Sequence, residues 1–468
     1  MSQSDATTPS GAFDSLPLKP ALLDTLKSIG FHQMTPIQAQ SLPAILNGGD
    51  VIGQGKTGSG KTAAFGLGLL NKLNVKRFRI QSLVLCPTRE LADQVAVELR
   101  TLARGIHNIK ILTLCGGVPM GPQIGSLEHG AHIIVGTPGR IIDHLERGRL
   151  DLDNVDMLVL DEADRMLEMG FQRELDAIMQ EVPRERQTLL FSATFPEQIQ
   201  SLSEQFMIDP LMVKVEAHHD GETIEQHFYE CGNNNDRMKA LQLLLLKHQP
   251  ESTVVFCNTK RDTKDVAAKL TNAGFSVVAL HGDLEQRDRD QMLLKFANKS
   301  ASVMVATDVA ARGLDIDALD MVVNYHLAYD TEVHIHRIGR TGRAGSKGAA
   351  YSLFNHEDGY KLTMLADLLG REIDGETLPG EGLLDTLPPQ PKMVTIQIDG
   401  GKKQKVRPGD ILGCLTGENG IEGSEVGKIK ITEFRSYVAV DRKVLRKALN
   451  KIVKGKLKGK SYRAWELK

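Results

Sequence analysis

The sequence predicts an α/β protein, with two tandem parallel-sheet domains followed by a small α+β domain. Three observations predict it. Short apolar runs alternate with longer helical patterns, and this happens in two successive halves. The alternation lapses after Gly370. The last stretch then changes both its element order and its charge. In the first half the strand-like runs fall at 50–53, 82–86, 111–114, 132–136, 157–160 and 188–191. In the second half they fall at 253–257, 277–280, 302–306, 321–324 and 350–354. They are rich in Val, Ile and Leu and alternate little, as strands buried on both faces do. Segments 90–104 and 263–273 read as crossover helices, and strands alternating with helices imply parallel sheets. The expected division is a lead-in over 1–24, a first domain over 25–217, a second over 223–373, a linker over 374–392 and a terminal domain over 393–468. The junction of the two halves falls at 217–223, around HHDGE, and the linker mixes Gly, Pro and acidic residues without a period.

The terminal part carries strand-like runs at 394–398, 428–432 and 437–440, helical patterns at 408–415 and 442–453, and a last short strand near 463–467. The order β-α-β-β-α-β is that of an RRM-like sandwich. From Lys392 onward there are 19 Lys and Arg against 8 Asp and Glu, a balance of +11. With the whole chain at −2, the preceding residues carry −13. A basic domain on an acidic body predicts contact with a polyanion. The remaining composition is that of a soluble globular protein, 41% hydrophobic and 25% charged. No run approaches the roughly 20 apolar residues of a membrane span, and the polar start MSQSDATTPSGAFDS is no secretory signal. The five cysteines lie far apart without a CxxC pair, which predicts reduced core thiols in a cytoplasmic protein rather than a zinc ribbon.

The chemistry concentrates in two places. Gly55-Lys-Thr57-Gly58-Ser59-Gly60-Lys61-Thr62 follows a predicted strand and opens a helix, the context a phosphate-binding loop requires. Its backbone amides and the helix N-terminus suit phosphate oxygens. Lys61 is expected to reach the β- and γ-phosphates of ATP and Thr62 to ligate Mg²⁺. Downstream, Met157-Leu-Val-Leu160 runs into Asp161-Glu162-Ala163-Asp164. Asp161 is expected to hold the Mg²⁺, and Glu162 to orient and deprotonate the attacking water.

The tetrad Asp-Glu-Ala-Asp resembles the signature of the DEAD-box RNA helicases, and further motifs of that family follow in order over 13–343. Gly30-Phe31 with Thr35-Pro36-Ile37-Gln38 resembles the adenine-reading Q motif. Gln38 is implied to bond the adenine edge and Phe31 to stack on the ring, and Phe13, the upstream isolated aromatic, is implied to join them in binding the nucleotide. Pro87-Thr-Arg89-Glu-Leu91, Gly116-Gly117 and Thr137-Pro-Gly-Arg140 resemble RNA-backbone contacts. Ser192-Ala-Thr194 is similar to the element coupling ATP to RNA. Val255-Phe-Cys-Asn-Thr259, His281-Gly282, Gln286-Arg287, Thr307-Asp308, Ala311-Arg-Gly-Leu-Asp315 and His336-Arg-Ile-Gly-Arg340-Thr-Gly-Arg343 complete the series. Singly, a TPGR or an SAT would carry little; a dozen in one order carry the resemblance. Two departures are small: Gly55 stands where the family usually has Ala, and Met34 where Pro is common. Neither removes a donor or a charge.

The resemblance implies two RecA-like domains. Arg340 and Arg343 would serve as arginine fingers, worth about 10³–10⁵ in turnover, and Asp315 would contact the ribose. The groups at Arg89, Gly117, Thr137, Arg140, Arg287 and Thr307 suit phosphate and sugar, so core binding is expected to ignore sequence and to use 2′-OH groups to select RNA. Local unwinding by bending one strand, without translocation, is the implied mode.

In the tail, Arg435, Lys454, Lys456 and Lys458 contribute to a basic surface, and Tyr437 is the one stacker its strand offers for RNA, so the sequence argues against base stacking on the sheet and for binding through loops and lysines. The tail motifs Ile398-Asp-Gly-Gly-Lys-Lys403, Arg407-Pro-Gly-Asp-Ile411 and Gly427-Lys-Ile429, with His281-Gly-Asp-Leu-Glu-Gln-Arg-Asp-Arg-Asp290 in the core, are similar to a bacterial branch of the family. This implies work on large ribosomal subunit precursors, with the tail gripping a hairpin of 23S ribosomal RNA, in a monomer. The alternative within the family is another RNA target. An RNA clamp without turnover would be expected to lack Glu162, Arg340 or Arg343, and all are present. A DNA translocase would not be expected to pair this phosphate loop with a Q motif.

Overall fold

The computed structural model describes residues 11–55, 58–215, 224–311, 319–342, 348–457 and 459–467. The expected junction at 217–223 lies outside them. Two compact units result, divided near residue 218.

The first unit holds seven strands: β1 (Val51–Gln54), β2 (Ser82–Leu85), β3 (Ile111–Leu114), β4 (Ile133–Gly136), β5 (Met157–Asp161), β6 (Gln187–Ser192) and β7 (Leu211–Lys214). They pair in the order β3-β4-β2-β5-β6-β1-β7, every pair parallel. The two faces of the sheet bury separate apolar clusters, as the continuous Val/Ile/Leu runs require. Parallel pairing places all the strand carboxyl ends on one edge, where crevices for ligands form in such sheets.

The second unit contains a parallel sheet of β8 (Ile224–Glu230), β9 (Thr253–Cys257), β10 (Val277–Leu280), β11 (Val303–Thr307), β12 (Met321–Asn324) and β13 (Gly348–Phe354), in the order β10-β11-β9-β12-β13-β8. An antiparallel sheet follows, made of β14 (Met393–Ile398), β15 (Val426–Ile431), β16 (Ser436–Asp441) and β17 (Ala464–Glu466), in the order β15-β16-β14-β17. Two RecA-like parallel sheets and a small antiparallel domain are the fold class the sequence predicted.

Segment 374–392 is fastened along the second parallel sheet. Glu376 N–H donates to the Phe228 carbonyl at 2.7 Å, the Glu376 carboxylate meets His227 at 3.0 Å, and Leu378 and Leu383 pack on that domain's core. The terminal domain then docks on the same domain. Its core takes one face of the sheet, through Val394, Ile396, Ile398, Val438 and Val440. The other face, carrying Thr395, Gln397, Tyr437 and Ala439, is equally buried. Asn298 Nδ2 donates to Thr395 Oγ1 at 3.1 Å, the Ser300 and Thr395 hydroxyls are 2.6 Å apart, and Leu294 packs with Tyr437 and Leu467. The central strands of this face are therefore covered by the second helicase domain, while Lys430 on β15 and Trp465 on β17 stay exposed.

All five cysteines are free thiols, four buried and Cys414 half-buried. Among the described residues no helix is long and apolar enough to cross a membrane.

Candidate nucleotide and RNA site

The phosphate loop leaves β1 with the Gly55 N–H donating to the Ser192 carbonyl at 3.0 Å, which fixes it against β6. It ends at Gly60 (φ 92°), the residue before the helix Lys61–Lys72. This left-handed position favours glycine, and space demands it too: a Cβ here would lie 2.5 Å from Gln38 Nε2 and 2.9 Å from Thr35 Oγ1. Lys61 is buried, its ammonium donating to the Gly55 carbonyl at 2.5 Å.

The Q-motif residues brace this loop from behind. Thr35 stands at the N-cap of the helix Pro36–Leu46, where Gln38 Oε1 accepts from Thr35 N at 2.9 Å. Gln38 Nε2 donates to the Gly60 carbonyl at 3.1 Å. A primary amide offers two donor hydrogens and two acceptor lone pairs, so one of each remains for an adenine edge. Phe31 is 40% exposed. Phe13 departs from expectation. It is 3% exposed, packed in the core beneath the Q motif, while Gly11 and Met34 join by a backbone bond of 3.2 Å. An apolar ring surrounded by core has no face to offer a nucleotide, so Phe13 anchors the motif instead.

At the end of β5 both acids are buried, Asp161 at 3% exposure and Glu162 at 6%. Burial pushes the Asp161 carboxyl up to about 7, against the pull of nearby Lys61. Glu162 sits in the left-handed region (φ 52°) at the turn into the helix Ala163–Glu168. This is an unusual backbone for a non-glycine residue, of the kind held at functional sites. Arg165 Nη1 donates to Glu162 Oε2 at 3.0 Å, with both side chains buried. Asp164 faces the end of β6, accepting from Ala193 N at 3.2 Å, Thr194 N at 3.0 Å and Thr194 Oγ1 at 3.0 Å. The SAT segment is thus tied directly to the acidic tetrad.

The other first-domain motifs gather on the same strand edge. Both Arg140 Nη atoms donate to the Val118 carbonyl, at 3.2 and 3.1 Å, and Gly116 N donates to Thr137 Oγ1 at 3.5 Å. The turn containing Gly117, the end of β4 and the first turn of the helix Pro138–Glu146 are thereby joined. Arg89 opens the helix Arg89–Leu102 after β2.

In the second domain Thr307 ends β11 and is buried, its hydroxyl accepting from Ala310 N at 3.4 Å. Arg287 is exposed in the first turn of the helix Gln286–Ala297, and Arg340 is buried just after the helix Thr331–Ile338. At their centre is Arg337, 1% exposed. It donates to Asp308 at 2.6 and 2.7 Å, to the His326 carbonyl at 2.7 Å, to Asn258 Oδ1 at 2.9 Å and to Asn324 Oδ1 at 3.3 Å. All five guanidinium donors are used. Arg337 and Arg165 are structural keystones that sequence reading passed over. Both stood inside or beside quoted motifs, but only the fold supplies their partners. Thr57, Asp315, Arg343 and Lys458 lie outside the described residues.

In the tail, Lys454 and Lys456 are exposed and Arg435 is half-buried in the turn between β15 and β16. Tyr437, a candidate RNA contact as the one stacker of its strand, has no face open to a base. It is 7% exposed, against Leu294 and Leu467, because the sheet face that carries it is docked on the second helicase domain.

Comparison with known proteins agrees with this arrangement. The DEAD/DEAH box helicase family matches residues 35–202, the helicase conserved C-terminal domain matches 236–345, and the DbpA RNA binding domain matches 395–466. The chain is 53% identical over 451 residues to the ATP-dependent RNA helicase DbpA of Escherichia coli (strain K12), covering 96% of this chain and 98% of that one. It is 44% identical over 367 residues to the DEAD-box ATP-dependent RNA helicase CshA of Bacillus cereus, covering 78% and 70%. Among solved structures, S. cerevisiae Dbp5 bound to RNA and ADP BeF3 is similar with a TM-score of 0.69 and 30% identity, covering 81% of this chain and 100% of that one. With the acidic tetrad, phosphate loop and Q motif assembled on one strand edge, the chain belongs to the DEAD-box ATP-dependent RNA helicases and carries an RNA-binding domain of the DbpA type.

Proposed function

We propose that this helicase opens short RNA duplexes during assembly of the large ribosomal subunit, directed there by residues 393–468 holding a hairpin of 23S ribosomal RNA. The observation that carries the reading is the match of the basic tail, 395–466, to the DbpA RNA binding domain, within a full-length similarity to a helicase of that name. It acts as a cytoplasmic monomer. Lys61 and the loop amides from Gly55 to Gly60 hold the phosphates of ATP, and Gln38 and Phe31 take the adenine. Thr62 and Asp161 would hold Mg²⁺, which when bound neutralises charge on the β- and γ-phosphates. The donor set fits: both are hard oxygen ligands, and a buried carboxylate with a raised pKa is stabilised as its anion by a cation. Glu162 accepts the proton of the attacking water. Arg340 and Arg343 are the proposed arginine fingers, with Asp315 on the ribose. The RNA backbone is held by Arg89, Gly117, Thr137, Arg140, Arg287 and Thr307.

The test is ATP hydrolysis stimulated by the 23S hairpin against an unrelated RNA of equal length, in the whole protein and in a form ending at residue 391. The whole protein should favour the hairpin and the truncated one should show no preference. An equal ratio in both would assign the specificity to the core and favour a general RNA target.

A further inference from the structure

Phe434 is 61% exposed, although the turn that carries it is firmly held. Thr432 N donates to the Arg435 carbonyl at 2.8 Å and Arg435 N to Thr432 Oγ1 at 3.3 Å, closing the turn between β15 and β16. A second loop is fastened to its side: Lys402 N donates to the Thr432 carbonyl and Lys403 N to the Glu433 carbonyl, both at 2.9 Å. The two loops press together at Gly401, where a Cβ would lie 2.4 Å from the Thr432 carbonyl and 2.6 Å from Arg435 N. Only glycine permits that approach. The result is a rigid aromatic tip beside Lys402, Lys403 and Lys430, all exposed, and the half-buried Arg435; Glu433 is the opposing charge. Asp399, the other nearby acid, is paired with Arg463 at 2.7 Å.

We propose that Phe434 is a stacking platform for one unpaired RNA base, with Lys402, Lys403 and Arg435 holding the phosphates on either side of it. This rests on the tail being the RNA-binding part of the molecule, and names the site within it. An exposed aromatic ring next to lysines and arginine suits unstacked bases and their backbone, the mode by which loops and single strands are bound. Of the sheet's aromatics, Tyr437 has no free face, with Leu294, Asn298 and Ser300 packed on its side of the sheet, and Trp465, opposite Gln397 on the same face, is 40% exposed. Phe434, at the hairpin tip, offers a more open ring than either sheet aromatic.

The experiment uses the whole protein and two probes, a hairpin RNA with an unpaired loop and a blunt duplex of the same stem. Phe434→Ala should weaken hairpin binding by roughly 10-fold and leave duplex binding and the ATPase activity at saturating unstructured RNA unchanged. Phe434→Trp should retain hairpin affinity, and its fluorescence, above that of Trp465 in the parent, should be quenched by the hairpin and not by the duplex. Leu387→Ala, which trims another exposed apolar residue, should change nothing. Hairpin affinity unaltered by Phe434→Ala, or no quenching of the Trp variant, overturns the platform. If removal of residues 392–468 still abolishes hairpin preference in that case, the tail keeps its role and only the stacking is lost. A parent that binds both probes alike defeats both readings.

Discussion

Asp161 is a residue whose burial works against stability once its carboxyl ionises. Its carboxyl is buried and its folded pKa, about 7, lies above the ordinary value of 3.8. The sign follows. The contribution to stability is whole below about 3.8, where folded and unfolded chains are both protonated, and is lost as pH rises through 7, because only the unfolded chain ionises easily. Asp161→Asn should therefore raise the melting temperature of the ligand-free protein, with a larger gain at pH 7.5 than at pH 5, while ATP hydrolysis disappears. Equal gains at both pH values would show that the ionised form carries no penalty. Glu162 differs, since its charge is met by Arg165 at 3.0 Å. Glu162→Gln should lower turnover by about 10²–10⁴-fold, the usual worth of a positioned base, with ATP and RNA affinities retained in equilibrium binding. Near-parent hydrolysis would remove Glu162 as the base. The placement of Lys61 at the start of a helix after the loop, and of Asp161 and Glu162 at a strand end, was legible in the sequence because an apolar run and a glycine-rich turn locate them. Arg165 and Arg337 were not, because a cation's partners in a core depend on chain segments far away in sequence. Phe13 was misplaced for the same reason: a motif position does not reveal whether the ring faces core or cleft.

At the scale of elements, apolar runs located strands well wherever both faces are buried. The eleven runs read in the two halves all lie on strands of the parallel sheets. The strands missed were β7 and β8, at the sheet edges. Their sequences, LMVK and IEQHFYE, mix polar with apolar residues because an edge strand meets solvent. The coupling between the Q-motif helix and the phosphate loop was also illegible, since it runs through the Gly60 carbonyl. It changes what the Gln38→Ala variant should do. That side chain both caps its helix and holds the loop, so some loss of loop order is expected for every nucleotide. The free donor and acceptor add a loss for adenine alone. ATP affinity should fall by roughly 10-fold more than GTP affinity, as two neutral hydrogen bonds of about 1 kcal/mol each allow. Parallel losses for both nucleotides would reduce Gln38 to a brace.

For the molecule as a whole, the docked tail bears on how targeting works. A basic domain on a loose linker would act by raising local concentration, a gain set by linker length. Here segment 374–392 lies along the second helicase domain, and the tail's sheet is buried against the same domain through Thr395, Tyr437 and Leu467. The +11 balance said that the tail meets a polyanion but could not say which face was spent on the protein itself. Whatever RNA the tail grips is thereby held at a fixed distance and angle from the motifs around Thr307 and Arg340. Leu294→Glu tests this without touching the tail. It places a charge opposite Tyr437 and Leu467, where an unpaired buried charge is strongly unfavourable, so the contact should open while both domains stay folded. Hairpin binding should remain, because the tail's own core and basic loops are unchanged. Unwinding of a duplex joined to that hairpin should fall by roughly 10-fold or more, as loss of positioning does elsewhere, and lengthening the segment 386–391 in the parent should have little effect. Should Leu294→Glu leave hairpin-directed unwinding intact while the longer segment weakens it, the tail works as a tether and the docked sheet contributes only stability.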